Sequence, residues 1–306
     1  MRLPRPCQTV SRKEAMLGST FNLQGHRGAR GLQPENTLPS FEVALDVGVT
    51  SIETDLHRAR DGEVVLYHDA VIGGSLVAQL TLQELRRFKV DRNPDPRRFP
   101  EQLPNLTPVA SEFARVRGVE PFGVPTLAEL FEFVQCYSQS DNKTAAQRTH
   151  ATCLIFDLEL KRAPGRPEHV GDHVDGTGVG AFEEQTVQCI RHHQLVNRCV
   201  IRSFDHRSVL AAKQLEPRLR TAILVAGTAP VAPEELARHA HADTYCPHVD
   251  FLDERQVRQL HAAGIAVLPW TVNEPNDWQR LLTWGVDGIT TDFPDRLAQF
   301  LREWQR

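Results

Sequence analysis

Residues 51–69, with the sequence SIETDLHRARDGEVVLYHD, raise a question of local charge and indicate the kind of fold. The first part reads as a strand, in which Glu53 and Asp55 leave the same face because side chains alternate along a strand. Two like charges so close together are unfavourable unless a cation lies between them. The Asp-Gly pair at 61–62 is a strong signal for a two-residue turn, so the stretch predicts a β-hairpin whose second arm ends in a His-Asp pair.

Strand-like and helix-like segments alternate along the chain from about residue 21 onwards. When the hairpin is counted as one unit with the helix PTLAELFEFVQC (125–136), the sequence contains about eight strand–helix repeats. Strands that are each followed by a helix indicate a parallel sheet, and this number of repeats predicts a TIM (β/α)8 barrel over 21–306. A dinucleotide-binding fold is disfavoured because no GxGxxG follows the first strand.

Two stretches do not fit the repeats of a barrel. Residues 70–123 are rich in Pro and Arg and are too long for an ordinary connection, so we expect a small insertion or lid there. Residues 163–180 read as a long loop after another strand. Both stretches follow strand ends, on the face where such barrels carry their chemistry. The first 20 residues have no apolar core segment and are expected to form a poorly ordered arm.

The composition excludes several classes of protein. The net charge of −4 over 306 residues provides no basic field for nucleic acid. Most of the 35 basic residues are arginines, which suggests a background bias, and arginines outside motifs are therefore given little functional weight. The six cysteines form no CxxC pair, and no apolar run approaches the length of a membrane span. We expect a soluble, cytoplasmic protein with reduced thiols and no stable membrane insertion.

Charged and aromatic residues lie at several of the predicted strand ends, which meet at one mouth in a barrel. Three carboxylates at these ends suit a hard divalent cation bound through oxygen, Mg²⁺ or Ca²⁺. Histidines beside such a cation suit proton transfer, and cationic side chains suit an anionic oxygen. The candidate residues are the acids Glu53, Asp55 and Glu159, the histidines His26 and His68, the cations Arg27 and Lys161, and Trp270.

The same residues lie within motifs that resemble those of the glycerophosphodiester phosphodiesterase family. HRG (26–28), PENT (34–37), ExD (53–55) and the His-Asp pair (68–69) occur in the family's order. Further matches extend over nearly the whole predicted barrel: PTLAEL (125–130), DLELK (157–161), SFD (203–205), WTVN (270–273) and DGITTDFP (287–294). The resemblance therefore implies the same barrel, with the 70–123 stretch at the position of a small capping insertion.

The resemblance also implies a role for each candidate. It makes His26 and His68 the general acid/base pair, and Glu53, Asp55 and Glu159 the ligands of a divalent cation. It makes Arg27 a phosphate-binding residue, Lys161 a second cation at the site, Trp270 part of the pocket wall, and Glu35 and Asn36 supporting residues. Because the family often has Asn at the position of Asp157, no direct contact with the metal is assigned to that residue.

The implied reaction is the metal-dependent hydrolysis of a glycerophosphodiester to an alcohol and sn-glycerol 3-phosphate. The nucleophile is either the glycerol 2-hydroxyl, which gives a cyclic phosphate, or water. A lysophospholipase D-type activity on lipid substrates is an alternative, although the insertion has only scattered Phe and Leu. A binding barrel without catalysis is a third hypothesis, which the presence of every histidine and carboxylate of the motifs disfavours.

Overall fold

The computed structural model describes residues 21–172, 174 and 178–304. Its strands are β1 (Asn22–Gly25), β2 (Ser51–Arg58), β3 (Val64–Leu66), β4 (Val71–Ile72), β5 (Ser75–Leu76), β6 (Ile155–Leu160), β7 (Cys199–Ser203), β8 (Arg220–Val225), β9 (Thr244–Pro247), β10 (Ala266–Val267) and β11 (Gly288–Thr291). Its helices are α1 (Leu38–Val47), α2 (Leu82–Leu85), α3 (Pro108–Arg117), α4 (Leu127–Gln139), α5 (Ala145–Ala151), α6 (Ala181–His192), α7 (His206–Leu215), α8 (Pro233–His239), α9 (Glu254–Ala262), α10 (Pro275–Trp284) and α11 (Pro294–Trp304).

Eight of these strands form a parallel barrel. They follow the order β10-β9-β8-β7-β6-β2-β1-β11, and every neighbouring pair on this path is parallel. The two ends of the path meet, because Asp287 N donates to Val267 O at 3.0 Å and Thr290 N donates to Pro269 O at 3.0 Å. Each barrel strand leads to a helix, and the predicted TIM barrel is confirmed.

The hairpin that follows the second barrel strand is present, but its turn differs from the predicted one. β3 pairs with β2 in antiparallel fashion, with Leu56 opposite Leu66. Ala59 N donates to Glu63 O at 2.8 Å, so three residues, 60–62, stand between the last bonded pair. The prediction of a two-residue turn was wrong, although Gly62 does supply the positive φ of +92° that the turn requires.

Residues 70–123 form two different structures. The short β4–β5 hairpin and α2 pack around a small apolar cluster, in which Ile72, Val77 and Leu85 lie under the hairpin of β2 and β3. Helix α3 belongs instead to the main core, through Val109, Ala110, Phe113 and Ala114. The segment between them, from about 91 to 107, has no helix or strand and runs back along the mouth of the barrel.

Strand register brings the acidic residues together. In the β2–β6 pair, Glu53 is opposite Asp157 and Asp55 is opposite Glu159. Because parallel neighbours in register point to the same side of the sheet, all four carboxylates enter the barrel interior, with Asp55 and Glu159 nearer the carboxyl ends of the strands than Glu53 and Asp157. Register alone therefore decides that these side chains meet.

No helix in the described residues is both long enough and apolar enough to span a membrane. The expected N-terminal arm, residues 1–20, lies outside the described residues. The five cysteines that are described, at 136, 153, 189, 199 and 246, are free thiols.

The loop after β1 depends on Gly28, and this gives a test of the fold. Gly28 has φ +87°, and a Cβ there would lie 2.5 Å from Ser40 Oγ and 2.8 Å from the Ser40 carbonyl oxygen. Gly74 has almost the same φ, +86°, with nothing within 4 Å of the same position, so it is the matched control. We expect Gly74→Ala to cost about 1–2 kcal/mol for the left-handed conformation, and Gly28→Ala to cost about 1–3 kcal/mol more for the overlap.

Urea denaturation of the two variants measures this difference. Equal free energies of unfolding for Gly28→Ala and Gly74→Ala would show that the loop after β1 can move away from Ser40 without cost.

Candidate active site

Three carboxylates from two adjacent strands form a compact cluster at the mouth of the barrel. One oxygen from each of Glu53, Asp55 and Glu159 lies within 4.8 Å of the other two. All three residues are buried, and Glu53 and Asp55 have no exposed surface. The predicted convergence of these three acids is present in the structure.

Cationic side chains compensate the cluster from three directions. Arg27 Nε lies 3.1 Å from Asp55 Oδ2, and Lys161 Nζ bridges Asp55 Oδ1 at 3.2 Å and Glu159 Oε1 at 2.9 Å. Arg202 extends from β7, with Nη2 3.3 Å from Glu53 Oε1 and Nε 3.4 Å from Asp157 Oδ1. Arg202 is fully buried and is not among the predicted site residues. The low weight given to isolated arginines was wrong here, because a buried carboxylate needs a cation that the local sequence pattern does not reveal.

The compensation is uneven between the two acids of β2. Burial would raise the pKa of Asp55, but Arg27 and Lys161 together hold it well below its usual range. Burial, with the charge of Asp55 added to it, raises the pKa of Glu53 to about 8 despite Arg202. The charged form of Glu53 therefore lacks stabilisation in this arrangement of side chains.

The residues of the PENT motif build the wall beside this cluster. Glu35 Oε1 accepts a hydrogen bond from Arg27 Nη1 at 2.8 Å. Asn36 has φ +55°, and its Nδ2 donates to Asp55 Oδ2 at 2.9 Å while its Oδ1 accepts from Thr54 Oγ1 at 2.8 Å. The side chain of Thr37 caps α1 by accepting from Ser40 N. Each polar residue of the motif thus uses its side chain in hydrogen bonds that orient a neighbouring group.

His26 is held through its Nδ1 atom. This nitrogen lies 2.6 Å from Asp292 Oδ1, and Nε2 faces the acidic cluster, 3.8 Å from Glu53 Oε2. Burial, followed by the charge of Arg27, lowers the pKa of His26 to about 4. Asp292 is itself fixed by Asn273 Nδ2 at 2.8 Å and by Arg98 Nη2 at 3.3 Å.

His68 stands near the surface end of the same site. Its Nδ1 lies 2.6 Å from Asp69 Oδ1, and about a third of the side chain is exposed. The backbone carbonyl of His68 contacts Nε2 of His57 at 3.2 Å, which anchors the turn after β3 to β2. His68 is therefore held by its own neighbours in sequence, whereas His26 is held across the barrel.

Both histidines line one cavity of about 360 Å³. Strand order divides its wall into two halves. The charged half comes from β6 and from the segments after β1 and β3, and Arg202 on β7 adds a further charge next to β6. The aromatic half comes from the segments after β7, β9 and β10. The aromatic half contains Trp270, whose ring lies 5.4 Å from that of Phe204 and 5.1 Å from that of His248, both nearly perpendicular. The structure brings all the predicted catalytic, metal-binding and substrate-binding residues to this site, the carboxylates of Glu53 and Asp55 lying behind its wall.

The acidic cluster has the features of a site for a hard divalent ion. Glu53 Oε1 and Asp55 Oδ1 are buried, and each has an ion-pair partner, Arg202 and Lys161, but accepts no hydrogen bond of good geometry from the described part of the chain. The donors are all carboxylate oxygens, which Mg²⁺ and Ca²⁺ prefer. Three such oxygens within 4.8 Å of one another, two of them from residues with no exposed surface, fit the coordination of such an ion.

Comparison with known proteins agrees with this geometry. The sequence profile of the glycerophosphoryl diester phosphodiesterase family matches residues 26–296. The chain belongs to the glycerophosphoryl diester phosphodiesterase family. This confirms the resemblance seen in the motifs and makes the chain a member of a family of enzymes.

Individual relatives extend over almost the whole chain. A glycerophosphodiester phosphodiesterase of Bacillus altitudinis is 28% identical over 289 residues, which cover 91% of this chain and 97% of that protein. A solved structure from Silicibacter pomeroyi that carries the family name has a TM-score of 0.76 at 28% identity, covering 94% of this chain and 95% of that one. A phosphodiesterase of Oleispira antarctica, solved in complex with the product sn-glycerol-3-phosphate, shares the fold with a TM-score of 0.70 at 22% identity, covering 94% and 99%.

Arg202, Asp292 and Asn273 are parts of the site to which the sequence had assigned no role. Asp292 lies within the motif DGITTDFP and Asn273 within the motif WTVN. These motifs indicate which segments belong to the site, but not which side chains contact each other. Arg202 immediately precedes SFD and has no motif of its own.

The structure predicts that Arg202 is required to keep the acidic residues buried. Arg202→Met preserves much of the volume but leaves Glu53 and Asp157 without their cation, and we expect a loss of about 3–5 kcal/mol at neutral pH in the presence of a chelator. Arg220→Met, at an exposed position at the start of β8, is the control and should change stability by less than about 0.5 kcal/mol. Denaturant unfolding measures both, and a neutral Arg202→Met would mean that the acids are compensated without it.

Proposed function

We propose that this protein is a metal-dependent phosphodiesterase that hydrolyses glycerophosphodiesters to an alcohol and sn-glycerol 3-phosphate. The observation that carries the proposal is one cavity lined by His26, His68 and Glu159, directly over the buried carboxylates of Glu53 and Asp55. Family membership supports the reaction class, and the Oleispira antarctica product complex supports a small glycerol phosphate as the product.

Glu53, Asp55 and Glu159 are the residues that would hold the divalent ion. When bound, such an ion supplies positive charge that stabilises the non-bridging oxygens of a phosphodiester. Arg27 and Lys161 line the cavity beside the cluster and add hydrogen-bond donors for the same oxygens. Their ion pairs with Asp55 and Glu159 fix both head groups before the substrate arrives, which removes an entropic cost at the moment of reaction.

His26 is suited to accept a proton from the nucleophile. Donation from its Nδ1–H to Asp292 leaves Nε2 as the unprotonated atom, on the side of the ring that faces the acidic cluster. Its lowered pKa of about 4 favours the neutral ring that a base requires.

His68 is the partner that protonates the leaving alkoxide. Its greater exposure places it nearer the solvent side of the cavity, where a leaving alcohol departs. Attack by water and attack by the glycerol 2-hydroxyl both fit these two roles, and a cyclic phosphate in rapid-quench samples distinguishes the second route from the first.

The lining of the cavity favours a water-soluble diester over a lipid. Among the described residues that line it, Leu224 is the only aliphatic one, while the others are charged, polar or aromatic. The phosphate would lie on the charged half and the departing alcohol towards the aromatic half with Trp270. We further propose that the 70–123 insertion caps this cavity, since Arg98 belongs to its wall.

An assay of released sn-glycerol 3-phosphate, with Mg²⁺ or Ca²⁺ supplied, tests the reaction. We expect turnover of glycerophosphocholine and glycerophosphoethanolamine, and a loss of at least about 10²-fold in kcat for His26→Ala and for His68→Ala, since each removes a proton-transfer group. His192→Ala, on the exposed face of α6, is the control and should retain full activity. Faster turnover of a lysophospholipid than of glycerophosphocholine would favour the lipid alternative, and no turnover with any divalent ion would favour a binding barrel.

Metal binding can be tested without activity. An ion that binds only the folded protein stabilises it and therefore raises Tm. At a concentration of 100 times its Kd, the stabilisation is about 2.7 kcal/mol. We expect this shift in the wild type with Mg²⁺ or Ca²⁺, and its loss in Glu53→Gln and Glu159→Gln. Asp250→Asn, an exposed carboxylate near the aromatic half, should keep the shift. An undiminished shift in Glu53→Gln would place the ion elsewhere on the protein.

A further inference from the structure

The segment of the insertion around Arg98 is firmly attached to the mouth of the barrel. Phe99 is buried, its ring 6.1 Å from that of Phe293. Gln102 Nε2 donates to Arg30 O at 2.6 Å, and Leu103 N donates to Leu32 O at 3.1 Å. The backbone on the C-terminal side of Arg98 is thus bonded to the loop that carries the HRG motif.

The guanidinium of Arg98 connects this segment to the catalytic machinery. Its Nη2 donates to Asp292 Oδ2 at 3.3 Å, and its central carbon lies 5.1 Å from the ring centre of Phe99. Asp292 has no exposed surface, and its other oxygen accepts from His26 Nδ1. Arg98 is therefore two contacts away from the nitrogen of His26 that faces the acidic cluster.

Arg98 differs in this respect from the neighbouring arginines. Arg97 and Arg98 are both exposed, but Arg97 forms no ion pair with the described residues. Arg86 pairs with Glu129 on α4, away from the cavity. Arg30 comes closest to the same role, with Nη1 3.8 Å from Asp292 Oδ1, but its Nε is engaged by Glu35 at 2.6 Å. Within the described part of the insertion, Arg98 alone forms an ion pair with a carboxylate of the site.

We propose that Arg98 is a positioning residue that acts on His26 through Asp292. The inference rests on the role of His26 proposed above. Arg98 and Asn273 together hold Asp292 Oδ2, so that Oδ1 stays aimed at His26 Nδ1. Without Arg98 the carboxylate keeps a single neutral donor on Oδ2 and can rotate, and the imidazole loses the fixed partner that sets its orientation and tautomer. The insertion thereby contributes to the chemical step without touching the reacting atoms.

A substrate-binding role and a purely structural role for Arg98 would each change the kinetics differently from a positioning role. A direct contact with the substrate phosphate would appear mainly in KM, and its loss would add to any loss at Asp292. A purely structural role, as an attachment of the insertion, would appear as a lower stability with an unchanged His26. A positioning role predicts that loss of Arg98 lowers kcat and leaves KM nearly unchanged. It also predicts that loss of Arg98 lowers kcat no further when Asp292 has already been substituted.

A double-mutant cycle separates these cases. We expect Arg98→Ala to lower kcat by about tenfold with KM within about twofold, and Arg98→Ala in the background of Asp292→Asn to add less than about twofold. Arg97→Ala removes the same charge one residue away and is the control, with unchanged kcat. An additive effect of the two substitutions, or an effect of Arg98→Ala confined to KM, would overturn the proposal.

Proton NMR gives a readout that does not need a substrate. The imidazole N–H of His26, held in a short bond to a buried carboxylate, should give a downfield resonance that disappears in His26→Ala. We expect Arg98→Ala to shift or broaden this resonance, with the urea midpoint close to that of Arg97→Ala. An identical resonance in Arg98→Ala would overturn the positioning role whatever the substrate, whereas a wild-type protein without phosphodiesterase turnover would instead count against the proposed function.

Discussion

The register of β2 against β6 is the constraint on which the rest of the site depends. It places Asp55 opposite Glu159 and Glu53 opposite Asp157, so four carboxylates share one buried region of the barrel. Charges buried without partners cost several kcal/mol each, so the surrounding structure has to supply positive charge. The positions of Arg27, Lys161 and Arg202, which come from three different parts of the chain, are consequences of this single pairing.

When all of its carboxylates are ionised, the network around the cavity has a negative excess of one charge, and a divalent ion would reverse the sign of this excess. Around the cavity, one more carboxylate than cationic side chain takes part in the ion pairs of the described residues: the acids are Glu35, Glu53, Asp55, Asp157, Glu159 and Asp292, and the cations are Arg27, Arg30, Arg98, Lys161 and Arg202. A bound divalent cation would turn this small negative excess into a single positive charge. A phosphodiester carries one negative charge, so it would balance the single positive charge of the metal-bound site.

The sequence predicts those features that repeat or lie close together in the chain, and it misses those that depend on contacts across the barrel. The strand–helix alternation predicts the barrel, and the spacing of Glu53 and Asp55 indicates a shared face, because both are local patterns. Arg202 lies in no motif, and the motif that contains Asp292 does not indicate its contact: their partners, Glu53 and His26, lie far away in sequence and meet them only when the barrel closes. The turn at 60–62 was mispredicted for a different reason, since an Asp-Gly pair is compatible with more than one turn length.

Closure of the barrel also places the charged and the aromatic residues of the cavity on different sides. The charged residues of the lining come from β1, the β2–β3 hairpin, the insertion, β6 and its neighbour β7, and the segments that follow β7, β9 and β10 carry Phe204, His248 and Trp270. In the proposed reaction, the phosphate of the diester would lie on the charged side, beside the acidic cluster, and the departing alcohol would face the aromatic rings. Arg98 lies on the charged side, next to Asp292, and an insertion that caps the cavity, as proposed above, would exclude water from the half where electrostatic interactions matter most.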